Sequence, residues 1–406
     1  MRRKSMVSNK LCDVFSDIRG ELYYRALDKE AQGESILKLN TGNPAAFGFA
    51  MPESVRRALT ASVDAALGYC DLKGMTAARE AIAAYHTSLG VRGVTPGDVY
   101  ITNGVSEAAY LAVTALCSEG DEFLVPAPCY SLWVNMIRLA GGKAVFYDCD
   151  EASGWQPDLA SLRARITDRT KALLIINPNN PTGAVYDRAI LEEMYKIAAE
   201  RGLVILSDEI YDRLVLDGVC HTPTATLGDN VLTLSFNGLS KSHCLCGFRC
   251  GWMTLSGPED KKRELAAALT TLSSIRLCSN ALMQLIIPEA LADTAYTRSL
   301  VLAGEGRIAV QSKVAFEELN RIEGIETVKN RAAFYLFPRI ELERFGFDSD
   351  KDFAMQLLEE KNILVVAGSG FYCQDNRHFR IVALPREQEL RAAIREIGEF
   401  LDQKRR

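Results

Sequence analysis

Lys241 lies between apolar neighbours in Asn237-Gly238-Leu239-Ser240-Lys241-Ser242, and Arg249 follows eight residues on in Gly247-Phe248-Arg249-Cys250-Gly251-Trp252. Such surroundings suit a lysine that must be a neutral amine part of the time, and the hydroxyl of Ser240 with the guanidinium of Arg249 suits a phosphate. Together they meet the needs of a phosphorylated aldehyde held on an amine, which points to pyridoxal phosphate. A Ser-x-x-Lys acyl-transfer site is excluded, because Gly238 stands where the nucleophilic serine would be.

Three further segments offer complementary chemistry. In Leu203-Val204-Ile205-Leu206-Ser207-Asp208-Glu209-Ile210-Tyr211, an acid at the end of an apolar run can meet a ring nitrogen, and the tyrosine three residues on can reach a ring hydroxyl. A pyridine kept protonated by Asp208 withdraws electrons from a substrate Cα; equally, Asp208 reads as the cap of the following turn. Asn177-Pro178-Asn179-Asn180-Pro181-Thr182-Gly183 is stiffened by two prolines and can present the Asn180 amide to a cofactor oxygen and a substrate carboxylate. In Val99-Tyr100-Ile101-Thr102-Asn103-Gly104-Val105-Ser106-Glu107 the amides of Gly104, Val105 and Ser106 can bind an anion at a helix start. Asn103 or Ser106 serving as an ordinary helix cap explains that segment as well.

These segments resemble the class I/II aminotransferases of fold type I, whose asparagine, aspartate-tyrosine and lysine-arginine motifs match Asn177 to Gly183, Asp208 to Tyr211, and Ser240-Lys241 with Gly247-Phe248-Arg249. The resemblance runs from Leu39-Asn40-Thr41-Gly42-Asn43-Pro44 to Phe379-Arg380-Ile381. A narrower one, to the bacterial alanine (glutamate–pyruvate) aminotransferases, is carried by Asp17-Ile18-Arg19-Gly20, Gly42 to Phe49, Gly68-Tyr69-Cys70-Asp71, Pro126 to Tyr130 and Asn237 to Lys241. It implies an enzyme that moves an amino group between L-alanine and 2-oxoglutarate by a ping-pong route through pyridoxamine phosphate.

Carried over residue by residue, the resemblance implies that Lys241 holds the cofactor and then moves the substrate Cα proton, with Asp208 at the ring nitrogen and Tyr211 and Asn180 at the ring hydroxyl. Ser240, Arg249 and the amides of Gly104, Val105 and Ser106 would hold the phosphate, Tyr130 would stack on the ring, and Tyr69 would reach the phosphate of a second subunit in a homodimer. Arg380 would grip the substrate α-carboxylate in a bidentate pair, with Gly42 and Asn180 beside it and Arg19 reaching a glutamate side chain. Read alone, Tyr69 and Tyr130 are equally core aromatics, Arg380 a strand-edge charge and Arg19 a solvated residue of an N-terminal arm. Two departures stand out: Gly238 where many members of the wider family, though not the alanine enzymes, carry a phosphate-binding serine, and Ser16 where the alanine enzymes tend to carry a tyrosine near the substrate. Transfer from valine, aromatic or other amino acids, and a β-lyase or decarboxylase on the same fold, are the alternatives; a ligand-sensing protein ranks behind them.

The elements that must position these residues are legible as apolar runs. Seven β-like segments lie at Val99 to Thr102, Glu122 to Val125, Ala144 to Tyr147, Ala172 to Ile176, Leu203 to Leu206, Val231 to Ser235 and Cys250 to Leu255; the last follows the lysine loop closely, which allows it an antiparallel sense. Helical stretches such as Arg188 to Arg201 and Asp260 to Leu272 alternate with them, which predicts an α/β fold with a mostly parallel seven-stranded sheet flanked by helices. Ligands gather at the carboxyl ends of such strands. Beyond about Pro288 a long helix, then Phe334 to Pro338, Lys351 to Lys361, Ile363 to Val366 and Phe379 to Val382, predict a smaller α+β domain. The expected division is 1–50 as N-terminal arm and part of the small domain, 51–290 as the large cofactor domain and 291–406 as the small C-terminal domain.

With 406 residues, 48% hydrophobic and 24% charged, the chain can bury a large core. A net charge of −5 without Lys/Arg blocks argues against nucleic-acid binding. The basic Met1-Arg2-Arg3-Lys4 is followed by no apolar stretch, and no run of about 18 apolar residues occurs, so neither a secretory signal nor a membrane span is expected. Eleven scattered cysteines, an odd number, predict a reducing cytoplasm. Cys244-x-Cys246-x₃-Cys250 beside His243 lacks the spacing of paired zinc knuckles; these cysteines read as small apolar residues around the lysine loop, and no metal is expected. His86, His221 and His378 show no partner pattern and read as structural or surface residues.

Overall fold

A computed structural model describes residues 6–15 and 17–405. The central sheet has the spatial order Val99–Thr102, Gly251–Ser256, Thr233–Gly238, Val204–Asp208, Thr170–Ile176, Glu122–Ala127, Lys143–Asp150 and Gln156–Pro157. The strands from Thr233–Gly238 to Lys143–Asp150 are mutually parallel. Gly251–Ser256 is antiparallel to both of its neighbours, so Val99–Thr102 runs in the same sense as the parallel set. The carboxyl ends of all these like-directed strands therefore meet at one edge.

The sheet has eight strands where the sequence predicts seven. The addition, Gln156–Pro157, folds back on Cys149 and Asp150 after a turn in which Trp155 has φ 65°. Two residues are too few to show an alternating pattern. Val99–Thr102, Thr233–Gly238 and Gly251–Ser256 are buried throughout, and Glu122–Ala127, Thr170–Ile176 and Val204–Asp208 are buried beyond their first one or two residues, as a sheet covered on both faces requires. Val105–Leu116, Ser131–Leu139 and Glu259–Arg276 contribute to the apolar core on one face, and Arg188–Arg201 to that on the other.

The long helix expected beyond Pro288 is three helices: Ile287–Ala292, Thr294–Val301 and Arg307–Leu319. Asp293 ends the first and caps the second, its carboxylate accepting from Tyr296 N at 3.1 Å. Gly304, at φ 78°, lies in the turn before the third. Further on, Tyr335–Leu336, Phe379–Val382 and Val366–Ala367 form a small antiparallel sheet with Phe379–Val382 in the middle. Leu37–Lys38 pairs in parallel with Ile363–Leu364, and Leu39 joins a core with Phe353, Ile381 and Ile397. The segment carrying Asn40 and Gly42 is thus tied to the C-terminal part of the chain. Among the described residues, no helix is long and apolar enough to cross a membrane.

Candidate active site

Most of the chemistry-bearing residues sit just past strand ends on one edge. Asp208 closes Val204–Asp208, the Asn177 to Gly183 loop follows Thr170–Ile176, and Tyr130 precedes the helix Ser131–Leu139 after Glu122–Ala127. Lys241 lies in a single helical turn, Leu239–Ser242, directly after Thr233–Gly238, where the sequence suggests a loop.

One set of contacts joins residues distant in sequence. Lys241 Nζ donates to Gly42 O at 2.7 Å and lies 5.9 Å from the Phe334 ring centre. A Cβ on Gly42 would stand 2.3 Å from the Tyr335 hydroxyl, so a residue without a side chain is required there. Tyr335 and Tyr211 share a hydroxyl–hydroxyl bond of 2.7 Å. The Arg380 guanidinium lies 4.5 Å from the Tyr335 ring centre and 4.7 Å from that of Phe371. It donates to Asn180 Oδ1 at 2.9 Å and to Asn40 O, while its Nε is buried without a partner among the described residues. The Asn180 amide nitrogen has no partner among the described residues and remains a donor.

Burial acts to lower the pKa of Lys241, but Tyr335, Cys246 and Tyr130 outweigh it and the amine is held above its ordinary value. The apolar neighbours alone therefore do not keep it neutral in the cofactor-free chain. Cys246, expected as apolar filling, lines this pocket: its sulfur lies 3.8 Å from Lys241 Nζ and donates to Ser240 O at 2.9 Å. Cys244 and Cys250 are buried, as expected.

Asp208 is 4% exposed, and its Oδ2 accepts from Trp133 Nε1 at 2.8 Å. The capping reading holds alongside, since Oδ1 accepts from Ile210 N at 3.3 Å. Burial pushes this carboxyl up to about 6 from 3.8, against the pull of those two donors. The sign follows directly: below 3.8 the group is neutral in both the folded and unfolded chain, and above about 6 it is charged in both. Burying that charge then costs about 3 kcal/mol, and stability falls as pH rises through the window between. In cofactor-free protein, the stability of Asp208→Asn relative to wild type is expected to rise by about this amount from pH 4 to 6 and level off above. Denaturant unfolding of both proteins across that range checks it; a constant difference would contradict it.

At the far end of the sheet edge, the helix Val105–Leu116 starts with the amides of Val105 and Ser106 unpaired among the described residues. The Gly104 amide is already donated to Thr102 O at 2.8 Å, so the expected donor role does not fall to Gly104. Gly104 supplies space instead: at φ 85°, a Cβ there would stand 2.2 Å from Arg249 Nη2. The helix is capped by neither Asn103 nor Ser106; Glu107 accepts from Asn103 N at 2.7 Å. Arg249, itself at φ 55°, donates to Cys246 O at 2.8 Å, and Ser240 Oγ has no partner among the described residues. Gly238 has a packing reason, because a Cβ would lie 2.5 Å from Cys250 O and leaves no room for a serine.

Tyr69 is 86% exposed. Arg19 is exposed at the end of the short helix Asp17–Arg19 with no acid in ion-pair reach among the described residues, and Ser16 lies outside the described residues. None of the three expected structural or surface histidines is a surface residue: His86 and His378 are 1% exposed, and His221 faces Glu209 at 3.6 Å. Tyr335 and Trp133 belong to the site and are missed by sequence reasoning; both lie in apolar runs that read as core.

The family model for class I and II aminotransferases matches residues 34–397. The chain belongs to the class I and II aminotransferases. Glutamate-pyruvate aminotransferase AlaA of Haemophilus influenzae is 44% identical to this aminotransferase over 394 residues, 97% of each chain. Alanine aminotransferase of Mycobacterium tuberculosis is 42% identical over 395 residues, 97% of this chain and 92% of the other. Among solved structures, an aminotransferase from Escherichia coli superposes with TM-score 0.96 at 42% identity, covering 98% of this chain and 99% of that one. Alanine aminotransferase from Pyrococcus furiosus gives 0.93 at 36%, covering 98% and 100%. Aminotransferases of this family act on amino acids and 2-oxo acids, and membership implies pyridoxal phosphate. The residues fit that group: a buried acid raised by desolvation, whose charge a ring cation would offset; two helix-start amides, beside Arg249, that are unpaired among the described residues; and an Asn180 amide nitrogen left as a donor while its oxygen accepts from Arg380.

Proposed function

We propose that this aminotransferase moves the amino group between L-alanine and 2-oxoglutarate, giving pyruvate and L-glutamate, with pyridoxal phosphate as the carrier. The observation that carries the reading is identity of 44% across 97% of both chains to an enzyme named for glutamate and pyruvate. When bound, the cofactor supplies the aldehyde that takes up the amino group and a ring that withdraws electrons from the substrate Cα.

The chain's own residues divide the remaining work. Lys241 holds the cofactor and then takes and returns the Cα proton, released from its bond to Gly42 O. Asp208 balances a protonated ring nitrogen, kept in place by Trp133. Tyr211 and Asn180 bind the ring oxygen, Tyr130 covers the ring, and Val105, Ser106, Ser240 and Arg249 bind the phosphate. Arg380 receives the α-carboxylate beside Asn180 and Gly42, already oriented by Tyr335 and Phe371.

The working unit of this reading is a homodimer. Tyr69 and Leu67 are 86% and 87% exposed, and Ile275 and Leu277 are 76% and 53% exposed. Gln284 bonds both Cys70 and Ser279, which sets the two apolar segments side by side, and Tyr69 crosses from there to the partner's phosphate. Arg19 contacts a substrate side-chain carboxylate. The division that goes with this reading is 1–50 as N-terminal arm and part of the small domain, 51–290 as the large cofactor domain and 291–406 as the small C-terminal domain, and the free cysteines fit a cytoplasmic protein.

A half-reaction tests the activity. L-Alanine is expected to convert the holoenzyme to its pyridoxamine phosphate form with release of pyruvate, and 2-oxoglutarate to restore it. Steady ammonia or carbon dioxide release with neither half-reaction would overturn the reading in favour of lyase or decarboxylase chemistry.

A further inference from the structure

Among the described residues, Cys373, Asp375 and His378 bring three metal-ligating atoms together on the segment leading into the Phe379–Val382 strand. Cys373 Sγ lies 3.5 Å from His378 Nδ1, His378 Nδ1 lies 3.0 Å from Asp375 Oδ1, and Cys373 Sγ lies 3.4 Å from the same oxygen. Ligands around tetrahedral zinc, at about 2.3 Å for sulfur and about 2.0–2.1 Å for nitrogen and oxygen, stand about 3.5 Å apart for S–N and S–O and about 3.3 Å for N–O. The three atoms thus already outline one face of such a tetrahedron.

A second observation concerns the other side of the imidazole. His378 Nε2, buried and without a hydrogen-bond partner among the described residues, faces Glu151 Oε1 at 3.4 Å. A carboxylate behind the distal nitrogen is the usual companion of a metal-bound histidine, which it orients and makes more basic. The ring plane is fixed as well, stacked on Phe337 at 4.9 Å and 9° and met edge-on by Trp155 at 5.2 Å. The Asp375 side chain is 44% exposed, which leaves an entry path and a fourth position open to water.

We infer that Cys373, Asp375 and His378 form a binding site for one divalent zinc-like cation, with Glu151 as the outer partner of His378. Sulfur, imidazole and carboxylate together select zinc or cobalt over magnesium or calcium, which prefer oxygen alone. Binding releases the Cys373 thiol proton and any proton on His378 to solvent, so affinity rises with pH. The metal fastens the 371–378 segment, which holds Phe371 against Arg380 at one end and leads into the Arg380 strand at the other. Metal binding at these residues requires neither the cofactor nor the proposed reaction.

The test uses holoenzyme stripped with a chelator and titrated with zinc against a chromophoric chelator, in buffer free of amino acids. Wild type is expected to take up one equivalent per chain and to show a higher thermal midpoint with zinc. Cys373→Ala and Asp375→Ala are expected to lose both effects, and Glu151→Gln to bind about 10- to 100-fold more weakly. Cobalt in place of zinc should give the visible bands of a tetrahedral thiolate site in wild type and not in Cys373→Ala. Asp375 is half-exposed on a turn, so Asp375→Ala keeps the comparison open should Cys373→Ala fail to fold. Wild type that binds no zinc, or a folded Asp375→Ala that binds it undiminished, would overturn the assignment and leave His378 as a structural ion-pair partner of Asp375 and Glu151.

Discussion

Lys241→Ala is expected to bind pyridoxal phosphate without a covalent link and to lose transamination by at least about a thousandfold. A positioned base alone is worth about 10²–10⁴ in rate, and covalent attachment adds to that. Retention of the cofactor follows from the anchors that the substitution leaves untouched: Asp208 with Trp133, Tyr211 with Tyr335, and the open helix start beside Arg249. The half-reaction with L-alanine, followed spectroscopically, measures the loss. Turnover near that of wild type would remove Lys241 from the mechanism.

Arg380→Lys is expected to lower kcat/KM about 10²–10³-fold, chiefly through KM, for L-alanine and 2-oxoglutarate alike, because both carry the same α-carboxylate. Arg380 is 2% exposed and lies against the Tyr335 and Phe371 rings, with donors already assigned to Asn180 and Asn40. A lysine keeps the charge but loses the planar fork, the contact with both rings and one of those two bonds. Steady-state kinetics with each substrate decide it. A KM unchanged for both would place the carboxylate elsewhere.

The sheet and the first group of site residues were legible because each lies just past an apolar run. Val231 to Ser235 leads to Lys241 and Leu203 to Leu206 leads to Asp208, and in a parallel sheet such positions converge without knowledge of distant contacts. Tyr335, Trp133 and Gly42 were not legible in the same way. Trp133 sits on a helix whose apolar pattern hides a hydrogen bond to an acid 75 positions away, and Lys241 meets Gly42 across 199 positions. The Cys373–Asp375–His378 grouping escaped for a different reason. It forms because Tyr372 at φ 62° and Asn376 at φ 52° turn the chain back on itself, a conformation with no compositional signature here. The single long helix expected beyond Pro288 failed at Asp293, where a cap outweighed a continuous apolar pattern.

The claim on which the account rests is that one amine, on Lys241, carries the cofactor at the end of the Thr233–Gly238 strand. Borohydride reduction of the holoenzyme, proteolysis and mass mapping address it directly. The account predicts a phosphopyridoxyl adduct on the peptide containing Lys241; an adduct on any other lysine, or none on a protein that has taken up the cofactor, would contradict it.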